Sequence, residues 1–267
     1  MRIFIITMED PLYTLPFIKE IVTKRKKDVI GIAVSKGDRL TIGRNKSKLG
    51  YILALFLIMG PLSFIKNVYA TISFKLKKKL SKKLSFIQEP GLAGFAEEMG
   101  IPLYKVANPN DGSFLDLLRK NDIDVIINQS QSILKRELLD IPKIGVLNRH
   151  NALLPKNRGR LTPFWVLYKG EEETGVSIHF VTEGIDDGPI IVQERYSVER
   201  NDNFNTLVKK NYDLAPRAML RALEKLEQGG YDYIENDSAL ATYNTVPTIS
   251  DALQYRIKKI ARVFKKG

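Results

Sequence analysis

The chain has no cysteine, which excludes disulfides, thiol nucleophiles and thiolate metal sites together. The absence is compatible with a cytoplasmic setting. Histidine is nearly as scarce: among 267 residues there are only two, His150 and His179. A general base working near pH 7 therefore has few places to sit. Long uninterrupted apolar runs are missing too. Residues 49–64 (LGYILALFLIMGPLSF) are apolar but broken by Gly60-Pro61. They fall short of the roughly 20 residues that span a bilayer, and the proline would disrupt such a span. The opening run, Ile3 to Ile6, is short and is followed by Glu9-Asp10 rather than a small-residue cleavage site. It is expected to be a first buried strand, not a signal peptide.

Acidic residues are missing from one place in particular. Residues 36–86 hold twelve Lys/Arg against one Asp/Glu, and residues 248–267 hold six against one. Residues 87–247 hold 18 against 24, so the body is mildly acidic although the whole chain carries +12. The excess charge is a local device and not a general basic surface. With 44% hydrophobic residues the chain can bury the core of one large domain.

Apolar runs at 2–7, 28–35, 103–106, 124–129, 144–150, 174–182 and 190–198 predict strands. Helical patterns fall at 15–23, 91–99, 114–120, 133–139, 162–169 and 205–228. Strands alternating with helices through the first half imply βαβ units and a mostly parallel sheet with helices on both faces. Ligands of such sheets bind beyond the C-terminal strand ends. Three polar segments fall there: Gln129–Ser132, Asn148-Arg149-His150 and the loop holding Asp186.

Asn148 and His150 are two residues apart on a predicted strand, so both side chains face one space. An amide N–H can stabilise a developing oxyanion, worth roughly 10²–10³ in rate, and a positioned base adds roughly 10²–10⁴. A carboxylate such as Asp186 would orient the imidazole and favour its protonated form. Ser177, inside TGVSIHFV, could bond a water or the histidine. Direct attack of an amine on a bound acyl donor fits this set. His179, in mid-strand, reads as a packed strand-face residue, and Glu171-Glu172-Glu173 as a solvated turn.

Asn148-x-His150, Leu153-Leu154-Pro155, Arg158-Gly159, residues 174–180 (TGVSIHF) and Ile185-Asp186-Asp187-Gly188-Pro189 together resemble the formyltransferase family. Its members include glycinamide ribonucleotide transformylase, methionyl-tRNA formyltransferase and nucleotide-sugar N-formyltransferases. The resemblance covers about residues 87–229, the first strand and the strand at 28–35. It implies a Rossmann-like α/β fold, 10-formyltetrahydrofolate as donor, a primary amine as acceptor and no metal. By resemblance Asn148 holds the formyl oxygen, His150 polarises it and relays protons, and Asp186 supports His150 and takes the amine's proton. The family's folate pocket is largely main chain, from two loops. Here these match Gln131, Ser132, Ile133 and Leu134, and Thr182 and Glu183 through Asp186. Asn151-Ala152 stands where the family often has Gly-Ser or Pro-Ser. Arg149 occupies the variable position between Asn and His. With Arg158 and Ser177 it is a candidate substrate contact.

The resemblance places a catalytic domain over 1–230 and a C-terminal extension over 231–267. Residues 39–86 interrupt the domain and predict a helical hairpin. Its second arm carries Ile65, Val68, Tyr69, Ile72, Leu76, Leu80 and Leu84 at three- and four-residue steps among lysines. The extension repeats the theme, with Leu253, Ile257, Ile260, Val263 and Phe264 flanked by basic residues and Ser250 as a candidate cap. Three readings of the hairpin stand: packing on the domain, contact of 49–86 and 250–266 with an anionic membrane surface, or contact with nucleic acid. The leading expectation is N-formylation of an amino sugar or another nucleotide-, lipid- or glycan-linked amine, in the cytoplasm or at the inner membrane face. Methionyl-tRNA formyltransferase is the second reading and disfavours itself through the acidic body and the short stretch after Gly229. The third is a formyltetrahydrofolate hydrolase, and the fourth a non-catalytic membrane-bound binding module.

Overall fold

A computed structural model describes residues 1–36, 47–84, 86–230 and 232–264, with side chains through 259. In chain order it contains β1 (Ile3–Met8), α1 (Thr14–Lys24), β2 (Val29–Ser35), α2 (Lys48–Met59), α3 (Pro61–Ser81), α4 (Leu92–Met99) and β3 (Leu103–Val106). Then follow α5 (Gly112–Lys120), β4 (Val125–Gln129), α6 (Arg136–Leu139), β5 (Gly145–His150), β6 (Arg158–Gly159), α7 (Thr162–Lys169), β7 (Glu173–Phe180) and β8 (Ile190–Ser197). The chain continues with α8 (Phe204–Gln228), β9 (Tyr243–Asn244) and α9 (Ile249–Phe264).

Seven strands form one sheet in the order β3-β2-β1-β4-β5-β7-β8. The first five are mutually parallel, and β7 and β8 run antiparallel to their neighbours. Every residue of β1 is buried, as a central parallel strand covered on both faces requires. Its side chains alternate. Ile3 and Ile5 enter a core with Phe17 and Ile21 of α1 and Met219 and Leu223 of α8. Phe4 and Ile6 face Phe114 and Leu118 of α5 on the other side. The expected α/β architecture with helices on both faces is therefore observed.

A third cluster sits beside the sheet. Ala54 and Ile58 of α2 pack with Phe164 and Leu167 of α7, Phe204 and Leu207 of α8 and Ala252 and Tyr255 of α9. The apolar arm of the hairpin thus belongs to the core. The other arm differs: α3 has no buried residue. Residues 39–46 of the predicted insertion lie outside the described residues, as do the side chains of Ile260, Val263 and Phe264.

Three local expectations change. The helix expected over 133–139 shortens to α6, because 131–135 form a loop whose backbone Asn110 holds: its amide donates to Ile133 O and its Oδ1 accepts from Lys135 N. The cap of α9 is Thr248, not Ser250: Thr248 Oγ1 accepts from Asp251 N at 3.2 Å, and Asp251 Oδ2 accepts from Thr248 N at 2.8 Å, a reciprocal capping box. The small parallel pair β6–β9 had no signal, since each strand is two residues long.

Candidate active site

Strand register brings the polar residues together. Asn148 lies opposite His179 and His150 opposite Ser177 across the antiparallel β5–β7 pair. The β7–β8 loop then returns Asp186 to this strand end. Asp186 adopts φ 50°, a left-handed conformation that Asp tolerates better than most residues. Two motif glycines allow the fit. A Cβ on Gly188 would lie 2.1 Å from Phe180 O, and one on Gly159 would lie 2.1 Å from Asn244 O.

The carboxylate of Asp186 sits between the chain's two imidazoles. Its Oδ2 is 3.4 Å from His150 Nδ1 and accepts from Gly159 N at 2.8 Å. Its Oδ1 is 3.6 Å from His179 Nε2. Each imidazole commits its other nitrogen to a backbone carbonyl. His150 Nε2 donates to Asn157 O at 2.8 Å, and His179 Nδ1 donates to Phe180 O at 2.7 Å. Carbonyls only accept, so these nitrogens carry the protons, an assignment made from hydrogen bonding. The nitrogens facing Asp186 remain available to receive one. Both histidines are buried.

Burial pushes the His150 pKa down from the ordinary histidine value and outweighs the attraction of Asp186. Burial acts against ionisation of Asp186, but His150, His179 and the Gly159 N–H together hold its carboxyl well below the usual range. Asp186 is therefore held as a carboxylate beside a neutral His150 imidazole that can take up one proton. Asn148 completes the cluster. Its Oδ1 accepts from Gln129 Nε2 at 3.3 Å, and its Nδ2 is 3.5 Å from His179 Nε2. One amide N–H is left for the adjoining cleft of about 260 Å³, which Asn148, Arg149, His150 and Asp186 line with Gln131, Tyr51 and Tyr212.

The other candidates fall differently. Arg149 borders the cleft but is held in place: its guanidinium lies 4.2 Å from the Tyr212 ring centre and 5.2 Å from that of Phe17 and donates to Gln129 Oε1 at 2.8 Å. Arg158, expected to contact substrate, is fully buried. It donates to Asn236 Oδ1 at 2.8 Å and Tyr243 Oη at 2.9 Å. Ser177 is also buried and is used internally: it donates to Ala152 O and accepts from Leu154 N. It fixes the turn after β5 and does not face the cleft. Of the two loops expected to hold folate, one brings Gln131 to the cleft. The other meets the start of α6, where Arg136 Nη1 lies 4.0 Å from Glu183 Oε2. Ile133 and Ile185, one on each loop, are exposed, Ser132 is partly buried and Leu134 is in the core. Thr182 donates to Asp187, which leaves Asp186 as the carboxylate facing the histidines.

His179 is packed as expected, and the β5–β7 register also sets it beside Asn148. Two further residues of the site carry no motif. Asn157 adopts φ 58°. Its side chain accepts from Lys169 and Asn244 and donates to both Glu171 oxygens, so Glu171 is no solvated turn residue. This network fixes the carbonyl that holds His150. Asn236 donates to the carbonyls of Asp186 and Gly188 at 2.9 and 2.8 Å. Nothing in the sequence marked it.

A model of the formyl transferase family ("Formyl transferase") matches residues 67–223. The chain belongs to that family. It is 35% identical over 172 residues to a methionyl-tRNA formyltransferase of Kosmotoga olearia, covering 64% of this chain and 55% of that one. It is 37% identical over 149 residues to a methionyl-tRNA formyltransferase of Thermotoga maritima, covering 55% and 48%. The chain thus spans about half the length of the curated relatives it matches. Among solved structures, glycinamide ribonucleotide transformylase 1 of Symbiobacterium toebii aligns over 89% of this chain and 94% of its own, with TM-score 0.59 and 16% identity. An N-formyltransferase of Helicobacter canadensis, solved with folinic acid and dTDP-3-aminofucose, aligns over 100% and 82%, with TM-score 0.55 and 16% identity. At such identities the likeness speaks for the fold.

Proposed function

We propose that the chain transfers a formyl group from 10-formyltetrahydrofolate to a primary amine. The observation that carries this reading is the Asp186 carboxylate held between two imidazoles beside the Asn148 amide. An amine attacking a formyl carbon makes negative charge on oxygen and must lose a proton from nitrogen. The free N–H of Asn148 is placed to receive the first, and Nδ1 of His150 or Nε2 of His179 the second, with Asp186 balancing the imidazolium. The proton returns to the departing folate nitrogen as its bond to the formyl carbon breaks. No covalent enzyme intermediate is required.

The donor end suits the two loops at 131–134 and 182–186. Their exposed Ile133 and Ile185 offer apolar contacts to a flat heterocycle, and Gln131 and the main chain offer polar ones. Among the described residues no cluster of side chains is arranged to hold a metal ion. The acceptor we favour is an amino sugar or another nucleotide-, lipid- or glycan-linked amine. A second reading, the amine of methionyl-tRNA, is favoured by the identity to methionyl-tRNA formyltransferases. Mass spectrometry after incubation with 10-formyltetrahydrofolate and an amine library, initiator methionyl-tRNA included, tests both. The expected product is an acceptor heavier by one carbonyl group. Formyl release into water with every amine inert would reject the transferase reading.

A further inference from the structure

The outer face of α3 is a feature that the active site does not use. Its inner face is clamped at both ends. Asn205 Nδ2 donates to Met59 O and Ser63 Oγ at 3.1 Å each, where α2 turns into α3. Lys78, near the other end, pairs with Glu9. Glu9 also accepts from Leu92 N at 3.1 Å. The helix is therefore laid along the body by these polar contacts and by two rings, Phe64 edge-on to Phe56 of α2 and Phe74 against Gly91, while its remaining large apolar side chains stay exposed.

Those side chains point outward. Leu62, Ile65, Tyr69, Ile72, Leu76 and Leu80 are all exposed, Leu62 by 84% and Tyr69 by 73%. At steps of three and four residues they form one stripe along 21 residues, a length of about 30 Å. Single exposed apolar residues are ordinary, but a contiguous stripe marks an interaction surface. Lys66 and Lys77 border it on one side and Lys75 and Lys82 on the other, with Lys79 and Lys83 among its last residues. No acidic residue occurs between Asp38 and Glu89. Leu253 and Ile257 of α9, the helix that packs against α2, are exposed as well.

We infer that α3 lies in the surface of an anionic lipid bilayer, with its apolar stripe in the acyl boundary and its lysines at the headgroups. The combination decides between occupants. A nucleic acid would match the lysines but leave the stripe in water. A second copy would bury the stripe but bring two lysine-rich helices together. An anionic bilayer satisfies both. Among the described residues no helix is long and apolar enough to cross a membrane, so the association is peripheral. It would hold the proposed transferase where lipid-linked amines are found. That consequence rests on the proposed function, whereas the docking itself does not.

Co-sedimentation of the full chain with vesicles tests it. Binding is expected to vesicles of phosphatidylcholine with about one-third phosphatidylglycerol, and to be far weaker on phosphatidylcholine alone. The variant I65E/I72E/L76E should lose binding with unchanged helicity by circular dichroism. Lys75→Gln, Lys79→Gln and Lys83→Gln combined should weaken it by about 10²-fold, at roughly fivefold per lysine. Asp186→Asn should bind vesicles like the parent, which separates failure of docking from failure of the catalytic proposal. The inference falls if the parent ignores anionic vesicles at physiological salt, or if binding survives I65E/I72E/L76E. It falls equally if an RNA hairpin displaces the vesicles, or if the lipid-free chain is a dimer that these substitutions dissociate.

Discussion

Replacing Asp186 with Asn removes one charge and very little else. The new side chain keeps an oxygen to accept from Gly159 N and tolerates the left-handed backbone at φ 50° at least as well. The loop also remains tied through Asn236 to the carbonyls of residues 186 and 188. Folding should therefore survive, while the proton account changes. In the parent, a proton taken up by His150 is balanced by the adjacent Asp186 carboxylate. In Asp186→Asn it creates a buried imidazolium without a counter-charge. Two unit charges about 4 Å apart interact by about 4 kcal/mol at an effective dielectric of about 20. That is an upper value of about 10³ in rate, reduced by what the Asn dipole recovers. A loss of about 10²–10³ in the single-turnover rate is expected, with the donor's dissociation constant changed much less. Rapid-quench measurement of formyl transfer at saturating donor and acceptor supplies the rate. A variant within tenfold of the parent would refute the counter-charge role of this carboxylate.

Asn236→Ala should strip the Asp186 and Gly188 carbonyls of a donor and leave the buried Arg158 guanidinium short of an acceptor. A stability loss of about 1–3 kcal/mol is expected, read by urea denaturation, with a fall in kcat larger than any rise in KM. Stability should also fall with acid in two stages. His150 is held below the ordinary 6.5 by burial. Its contribution is complete above that value and declines as pH falls toward its folded pKa, because only the unfolded chain takes up the proton. Asp186 is held below the ordinary 3.8, so its contribution persists to that pH and is lost below it. Thermal melts across the acid range should show the upper stage flattened in His150→Gln, and an unchanged upper stage would count against a neutral buried His150.

The central strands were legible because a parallel sheet covered on both faces demands unbroken apolar runs, as in β1 and the first residues of β4. Asn148 and His150 were legible because a period of two is a property of any strand. Asp186 was not reachable by periodicity. It lies in a loop, and the family motif supplied it. The failures share a different cause. Arg158 reads as a ligand-binding arginine, yet the chain brings Asn236, Ser238 and Tyr243 back to it from 78 to 85 residues away. Asn157 and Asn236 act through backbone carbonyls, which carry no residue identity. Contacts of this kind depend on where the chain returns, and composition and spacing hold no record of that.

The hairpin of α2 and α3 combines two environments, and its geometry gives each arm a separate task. Tyr51 of α2 is buried and forms part of the cleft wall, and Ala54 and Ile58 on the same helix enter the cluster shared with α7, α8 and α9. Substitutions there should disturb the cleft and the fold together. The stripe of α3 touches neither, because the helix is seated from its other side by Ser63, Phe64, Phe74 and Lys78. A sequence under pressure only to fold would have no reason to keep six large apolar side chains in water at helical spacing, beside lysines that repel one another. Water disfavours the first and mutual repulsion the second, so the arm is costly in isolation. An anionic apolar phase relieves both at once. Under the membrane proposal, the local charge excess of residues 36–86 serves a lipid surface and not the chemistry of the cleft.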